Sequence, residues 1–330
     1  MRLRFSFQIN PLQIKLLMQR RVTSSVTKSA LQKKFGCTVL QGRRITFNFT
    51  ADMSLLVSSL NSGSNGNCYY IGTATEAVLI DGGISCRETE KRLKRLGLTI
   101  KNVRAVFISH EHGDHIHGVT TLCKKHRIPL YITPKTLVAS GLKISEELIN
   151  TFSTSVPVTV GGLTITAFAK RHDACDPHSF VVTTGEIHVG VFTDIGHACE
   201  NVVKNFQRCH AVFLESNYDE DMLERGRYPW PLKNRIRGGW GHLSNRQALK
   251  LFTEYKPAFM SHVFLSHLSR ENNSPELAEQ LFRKVAGRTE IVVASRYEQT
   301  PLYEITGTFR DLAHSKYSRG MVRQAQLTLF

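Results

Sequence analysis

"ISHEHGDHIHG", residues 108–118, holds four histidines, one glutamate and one aspartate in eleven positions. It follows "VRAVF" (103–107), an apolar run that predicts a buried strand. A chain leaving an extended strand for a tight loop can aim several side chains at one point. His110 and His112 alternate, so both imidazoles can face the same way. Asp114 and His115 come next and can reach a second point nearby. Nitrogen and carboxylate ligands with no thiolate suit Zn2+, Mn2+ or Fe2+. Two such ions, about 3.5–4 Å apart, can clamp the two oxygens of a displacement at phosphorus.

The rest of the chain fits a globular α/β protein. It has 330 residues, 41% of them hydrophobic, and no run near the roughly 20 apolar residues that would span a membrane. Strand-like runs recur from residue 54 to 305, near 54–60, 68–72, 77–80, 103–109, 163–169, 180–184, 187–193, 210–214, 260–265, 291–294 and 301–305. Helical periodicity marks 86–96, 117–126, 198–206, 244–255 and 275–285. Ser244 and Ser274–Pro275 are start signals for the last two. The seven cysteines, at 37, 68, 86, 123, 175, 199 and 209, form no CxxC pair. They argue for a reducing compartment, the cytoplasm, and against a disulfide framework.

The net charge of +16 is uneven. Residues 1–52 carry ten Lys/Arg and one acid, Asp52. Such a basic, acid-poor stretch has the composition of a targeting peptide. The reading favoured here starts the chain at Met53, because "MSLLVSSLNSGSNGN" opens a well-formed strand and loop. Residues 1–52 are therefore set apart from a catalytic domain at 53–307, with a mobile basic tail at 308–330. A modestly basic body with basic ends fits a polyanion such as nucleic acid.

The HxHxDH pattern resembles the metallo-β-lactamase superfamily, and the resemblance spans nearly all of residues 53–307. It implies a four-layer αββα sandwich with two metals at one edge of its sheets. It also implies further ligands, and candidates stand just past apolar runs: His172 in "KRHDACDP", Asp194 in "VGVFTDIG" and His267 in "VFLSHLSRENN". On this reading His110, His112, His172 and Asp194 hold one ion. Asp114, His115, Asp194 and His267 hold the other. Asp81 in "AVLIDGG" resembles the family's aspartate beside the metals. His117, His178 and His197 lie near motifs, and an ordinary polar role suits each better.

"GHLSNRQALKLFTEYKPAFMSHVFLSHLS" resembles the ribonuclease Z and phosphodiesterase branch, which implies His242 as general acid beside Asp114 as the other catalytic residue. An alkoxide leaving group needs a proton, and imidazole titrates near neutrality. The spacings from Asp194 to His242 and from His172 to Asp194 are too short for the inserted domain of β-CASP nucleases or the arm of ribonuclease Z. "LNSGSNGNCYYIG", "IDGGISCRETEKRLKRLGL", "ESNYDEDMLERGRYPWPLKNRIRGGWGHLSN" and "SHLSRENN" are similar to the YycJ/WalJ subgroup. That subgroup is described as bacterial metal-dependent 5′-to-3′ DNA exonucleases linked to replication and mismatch repair. Tyr218 departs from the histidine expected there.

Ser64 and Asn65 lie in a Gly-rich loop that could hold a phosphate. "RYPWPLKNRIRGGWG" mixes Lys233, Arg235 and Arg237 with Tyr228, Trp230 and Trp240, a combination that suits nucleic acid. The last five residues, QLTLF, resemble the bacterial sliding-clamp motif, with Gln326, Leu327, Leu329 and Phe330 as its anchors. The expectation is thus a zinc or manganese phosphodiesterase with two ions per chain, acting as a DNA exonuclease in replication or mismatch repair. The rival readings are a cyclic-phosphate phosphodiesterase of the same fold and a clamp-tethered DNA-binding protein.

Overall fold

Alternation along the strands decides the architecture. In the first strand Leu55 and Val57 point into one apolar cluster, while Leu56 and Leu60 point into another. The same split by parity recurs at Tyr69/Ile71 against Cys68/Tyr70, and at Val78/Ile80 against Ala77/Leu79. A strand with apolar residues on both faces must be covered on both. The computed structural model of the protein, which describes residues 54–307, shows how. The expectations for residues 1–52 and for the tail, QLTLF included, fall outside the described residues.

The first six strands of the described residues are β1 (Leu55–Asn61), β2 (Cys68–Gly72), β3 (Ala77–Ile80), β4 (Val103–Phe107), β5 (Leu130–Tyr131) and β6 (Ile149–Asn150). Seven more follow: β7 (Val158–Val160), β8 (Leu163–Ala169), β9 (His178–Thr184), β10 (Ile187–Phe192), β11 (Ala211–Glu215), β12 (His262–Ser266) and β13 (Glu290–Val293). Strand β14 (Tyr303–Ile305) returns to pair with β1. The two seven-stranded sheets run β14-β1-β2-β3-β4-β5-β6 and β13-β12-β11-β10-β9-β8-β7. Both are mixed: β3 to β6 and β10 to β13 are parallel runs.

The inner faces meet in a cluster built around Tyr69, Phe107, Phe180, Phe213 and Phe264. Phe213 and Phe264 stack at 4.6 Å, and Phe107 on Tyr131 at 4.5 Å. Each such ring taken from water contributes about 1.5–3 kcal/mol. The outer face of the first sheet packs against α1 (Cys86–Arg95) and α3 (Val119–His126); between them lies the short α2 (Gly113–Ile116). Helix α4 (Pro134–Ser140) follows. The second sheet's outer face is covered by α5 (Glu200–Phe206), α8 (Asn245–Tyr255) and α9 (Pro275–Arg283). Helices α6 (Glu220–Arg225) and α7 (Trp230–Arg237) lie between α5 and α8 in sequence. The layers are therefore αββα, as the motif implied.

Start signals for α8 and α9 are met. Ser244 and Gln247 form a capping box, and Ser274 accepts from Leu277 N. Residues 230–237 show no apolar stripe, yet they form α7. Pro231 sits in its first turn, where a missing N–H costs nothing. No helix is long and apolar enough to cross a membrane among the described residues.

Candidate metal centre

The sheets place their functional side chains at strand ends. Asp81 follows β3, and Ser109 to His112 follow β4. His172 lies past β8, Asp194 past β10, and His267 directly after β12. Asp81, Asp194 and His267 adopt left-handed backbone, with φ of 62°, 56° and 58°. Such turns are strained for most side chains and cluster at functional sites. Helix α2 brings Asp114 and His115 in from the motif loop. It is held by close backbone contact: Asn67 N donates to the Asp114 carbonyl at 2.7 Å, and a Cβ at Gly83 would fall 1.7 Å from that oxygen.

All seven ligands expected from the sequence are brought together. His110 Nε2 and His172 Nε2 lie 3.0 and 3.3 Å from His112 Nδ1. His115 Nε2 is 3.2 Å from Asp194 Oδ2 and 3.5 Å from Asp114 Oδ2. His267 Nε2 is 3.4 Å from Asp114 Oδ2, and its Nδ1 is 3.6 Å from Asp194 Oδ1. Two clusters result, His110/His112/His172 and Asp114/His115/His267, and Asp194 faces both.

These residues fit divalent cations. Asp194 Oδ2 is buried and accepts no hydrogen bond, although His115 lies beside it out of line. A buried carboxylate oxygen without a partner is costly unless a cation takes it. Most of the imidazoles are also oriented from behind. His115 Nδ1 faces Asp81 Oδ2 at 2.7 Å, His110 Nδ1 faces Ser109 Oγ at 2.9 Å, and His172 Nδ1 donates to the Gly241 carbonyl at 3.0 Å. Each leaves Nε2 free for the centre.

The electrostatics agree. Burial holds the His110 pKa well below its ordinary value and lowers His172 to about 4, so both stay neutral. Burial alone would depress His115 and His267 as well. The carboxylates of Asp194, Asp81 and Asp114 outweigh it at His115 and hold it well above the usual range. Asp194, Asp114 and Glu215 raise His267 to about 10. Both are therefore protonated in the metal-free chain near neutrality. A cation takes an unprotonated nitrogen, so loading the protein releases about two protons and affinity rises with pH toward 10. Calorimetry in two buffers of different ionisation enthalpy reads that release; identical heats would contradict it.

His242 lies just before the capping residue of α8, with 21% of its side chain exposed. Its Nδ1 is 2.8 Å from Glu215 Oε1. Glu215, fully buried at the end of β11, was missed by the sequence reading. Its Oε1 also faces His267 Nδ1 at 3.2 Å, while Oε2 accepts from Ile195 N and Leu243 N at 2.6 and 3.1 Å. Burial alone would raise its pKa, but the His242 and His267 imidazoles outweigh it and lower the value to about 2. An acid at the end of an apolar strand was a legible signal, because the expected ligands share that placement. Lys170 was also missed: it is buried, and its ammonium donates to Thr193 O at 2.7 Å.

The other expected contacts divide. Ser64 and Asn65 are exposed, with Ser64 Oγ accepting from Arg296 at 3.3 Å and Asn65 donating to Arg296 O at 2.8 Å. Arg235 pairs with Asp173, and Arg237 with Glu224 at 3.0 Å. Lys233 is only 8% exposed and its ammonium donates to the Glu224 carbonyl, so it is not offered to solvent. The His178 ring, at the start of β9, is held by Thr154 and the Asp176 carbonyl.

A β-lactamase superfamily domain matches residues 76–267, and the chain belongs to the metallo-β-lactamase superfamily. Within it, the chain is 32% identical over 251 residues to the exodeoxyribonuclease YycJ of Bacillus anthracis, covering 74% of this chain and 94% of that protein. It is 29% identical over 268 residues to the exodeoxyribonuclease WalJ of Streptococcus pneumoniae, covering 77% and 100%. The metallo-β-lactamase fold protein YhfI from Bacillus subtilis superposes with a TM-score of 0.61 at 16% identity, over 76% of this chain and all of that one. This last likeness concerns the fold.

Proposed function

We propose that the protein is a metal-dependent phosphodiester hydrolase, and specifically a 5′-to-3′ DNA exonuclease. The observation that carries the reading is the convergence of the two ligand clusters on Asp194, with the Glu215–His242 pair beside them. Relatives named exodeoxyribonucleases, matched over about three quarters of the chain, support DNA as the substrate.

His110, His112, His172 and Asp194 would hold one divalent ion, Zn2+ or Mn2+, and Asp114, His115, Asp194 and His267 the other. Such ions ready a water molecule for attack at neutral pH and offset charge on a phosphoryl group. The chain's own part is proton delivery. Glu215 fixes the His242 ring through Nδ1. Nε2 then carries a proton toward the departing 3′ oxygen.

The free cysteines at 68, 86, 123, 175, 199 and 209 support a cytoplasmic setting. The QLTLF tail, outside the described residues, supports tethering to the sliding clamp and thereby a place in replication or mismatch repair. The test is incubation of metal-loaded protein with end-labelled linear DNA, RNA and a cyclic dinucleotide. Stepwise loss from the DNA 5′ end is expected. Preferred cleavage of RNA or of the cyclic dinucleotide would overturn the assignment.

A further inference from the structure

Both tryptophans of the chain stand in the open. Trp230 is 57% exposed and Trp240 59%, although such rings are ordinarily mostly buried. Trp240 is pinned by its backbone. Its carbonyl accepts from Asp173 N at 2.9 Å, and its Cα packs so closely on Gly196 that a Cβ there would lie 2.5 Å away. The next residue, Gly241, accepts from His172. The Trp240 backbone is thus tied to segments one residue from His172 and two from Asp194.

Each ring also carries a cation. Arg171 lies 5.9 Å from the Trp240 ring and Arg237 4.5 Å from that of Trp230. On the His267 side, Tyr297 is 71% exposed and adjoins Arg296. Arg296 flanks Gly63, and the neighbouring Ser62 takes the His267 N–H at 2.7 Å. Neither Arg171 nor Arg296 has a carboxylate partner among the described residues.

Exposed rings with guanidinium groups against them suit a partner that offers flat π-faces and negative charge together. An apolar protein surface supplies no charge, and a duplex hides its base faces inside its own stack. An unpaired strand supplies both. We propose that Trp240, Trp230 and Tyr297 form a stacking rim for single-stranded DNA, so that the end entering the centre is unpaired. The inference deepens the nuclease reading and rests on it for the choice of DNA.

Because the chain has only these two tryptophans, its emission reports the rim directly. The metal-loaded full chain is titrated with a short phosphorothioate oligo(dT) strand and, separately, with a blunt phosphorothioate duplex. Binding is followed in parallel by anisotropy of a label on the DNA. The single strand is expected to quench tryptophan emission and to bind about tenfold or more tighter than the duplex. Trp240→Leu is expected to lose most of the quench and about tenfold in affinity, and Trp240→Phe to recover most of the affinity. Equal binding of duplex and single strand, or binding without quenching, overturns the proposal. Failure of the nuclease reading shows separately, as single-strand quenching by a protein that degrades no unmodified DNA.

Discussion

Asp194→Ala is expected to hold fewer divalent ions than the native chain, and to lose turnover on DNA by at least about 10⁴-fold, some 5.5 kcal/mol in the barrier. The geometry is the reason. Oδ1 of Asp194 faces His267 and His172, while Oδ2 faces His115. Among the described residues no other carboxylate addresses both clusters, since Asp114 reaches only His115 and His267. The substitution also takes away a leading cause of the raised pKa values of His115 and His267, and leaves the buried Lys170 with one fewer nearby negative charge. Asp194→Asn keeps the volume while removing the charge, so it separates a packing loss from an electrostatic one. Metal analysis of the purified proteins gives the stoichiometry, and thermal denaturation shows that each is folded. A folded, active Asp194→Ala protein with the native metal content would remove Asp194 from the proposed ligands.

The second large effect is His242→Ala, with turnover falling about 10²–10⁴-fold while the metal content stays at the native level. The side chain is the most exposed member of the group Asp194, Glu215, His242 and His267, and it belongs to neither His110/His112/His172 nor Asp114/His115/His267. Glu215→Gln tests the same pair from behind. Gln cannot supply four acceptor positions on two oxygens, so His242, His267, Ile195 N and Leu243 N lose a shared partner. A drop of about 10–100-fold is expected, with weakened metal affinity through His267. A leaving group that needs no proton, such as a nitrophenolate ester, discriminates the roles. His242→Ala should recover most of its loss on that substrate, and Glu215→Gln should not recover the part owed to weaker metal binding. Full activity of His242→Ala on DNA would end the proton-donor assignment.

Much of this centre was legible in the chain because its pieces obey two local rules. Ligand-type residues follow apolar strands, and strand ends of one sheet edge share a neighbourhood. His110 through His115 could be read from spacing. His172, Asp194 and His267 came from resemblance and from their place after strands. Glu215 obeyed the same rule and was passed over, since a lone acid in "FLESN" looks like the polar end of any strand. Lys170 was illegible for another reason: nothing local says that a lysine will be buried with its ammonium on a carbonyl.

Helix α7 was hidden because it lacks an apolar stripe, and its form is decided by Pro231 and by contacts made elsewhere. Lys233 shows the same gap at a single residue. Asn234 and Arg235 after it face solvent, whereas it turns inward to the Glu224 carbonyl.

The left-handed corners at Asp81, Asp194 and His267 carry a consequence for the chemistry this scaffold can tolerate. Among residues with a side chain, aspartate, asparagine and histidine accept that conformation most readily. The first and third of these are also strong binders of hard and borderline cations. Backbone shape and coordination thus select the same short alphabet, so glutamate at 194 would be penalised by its corner even where its carboxylate could reach.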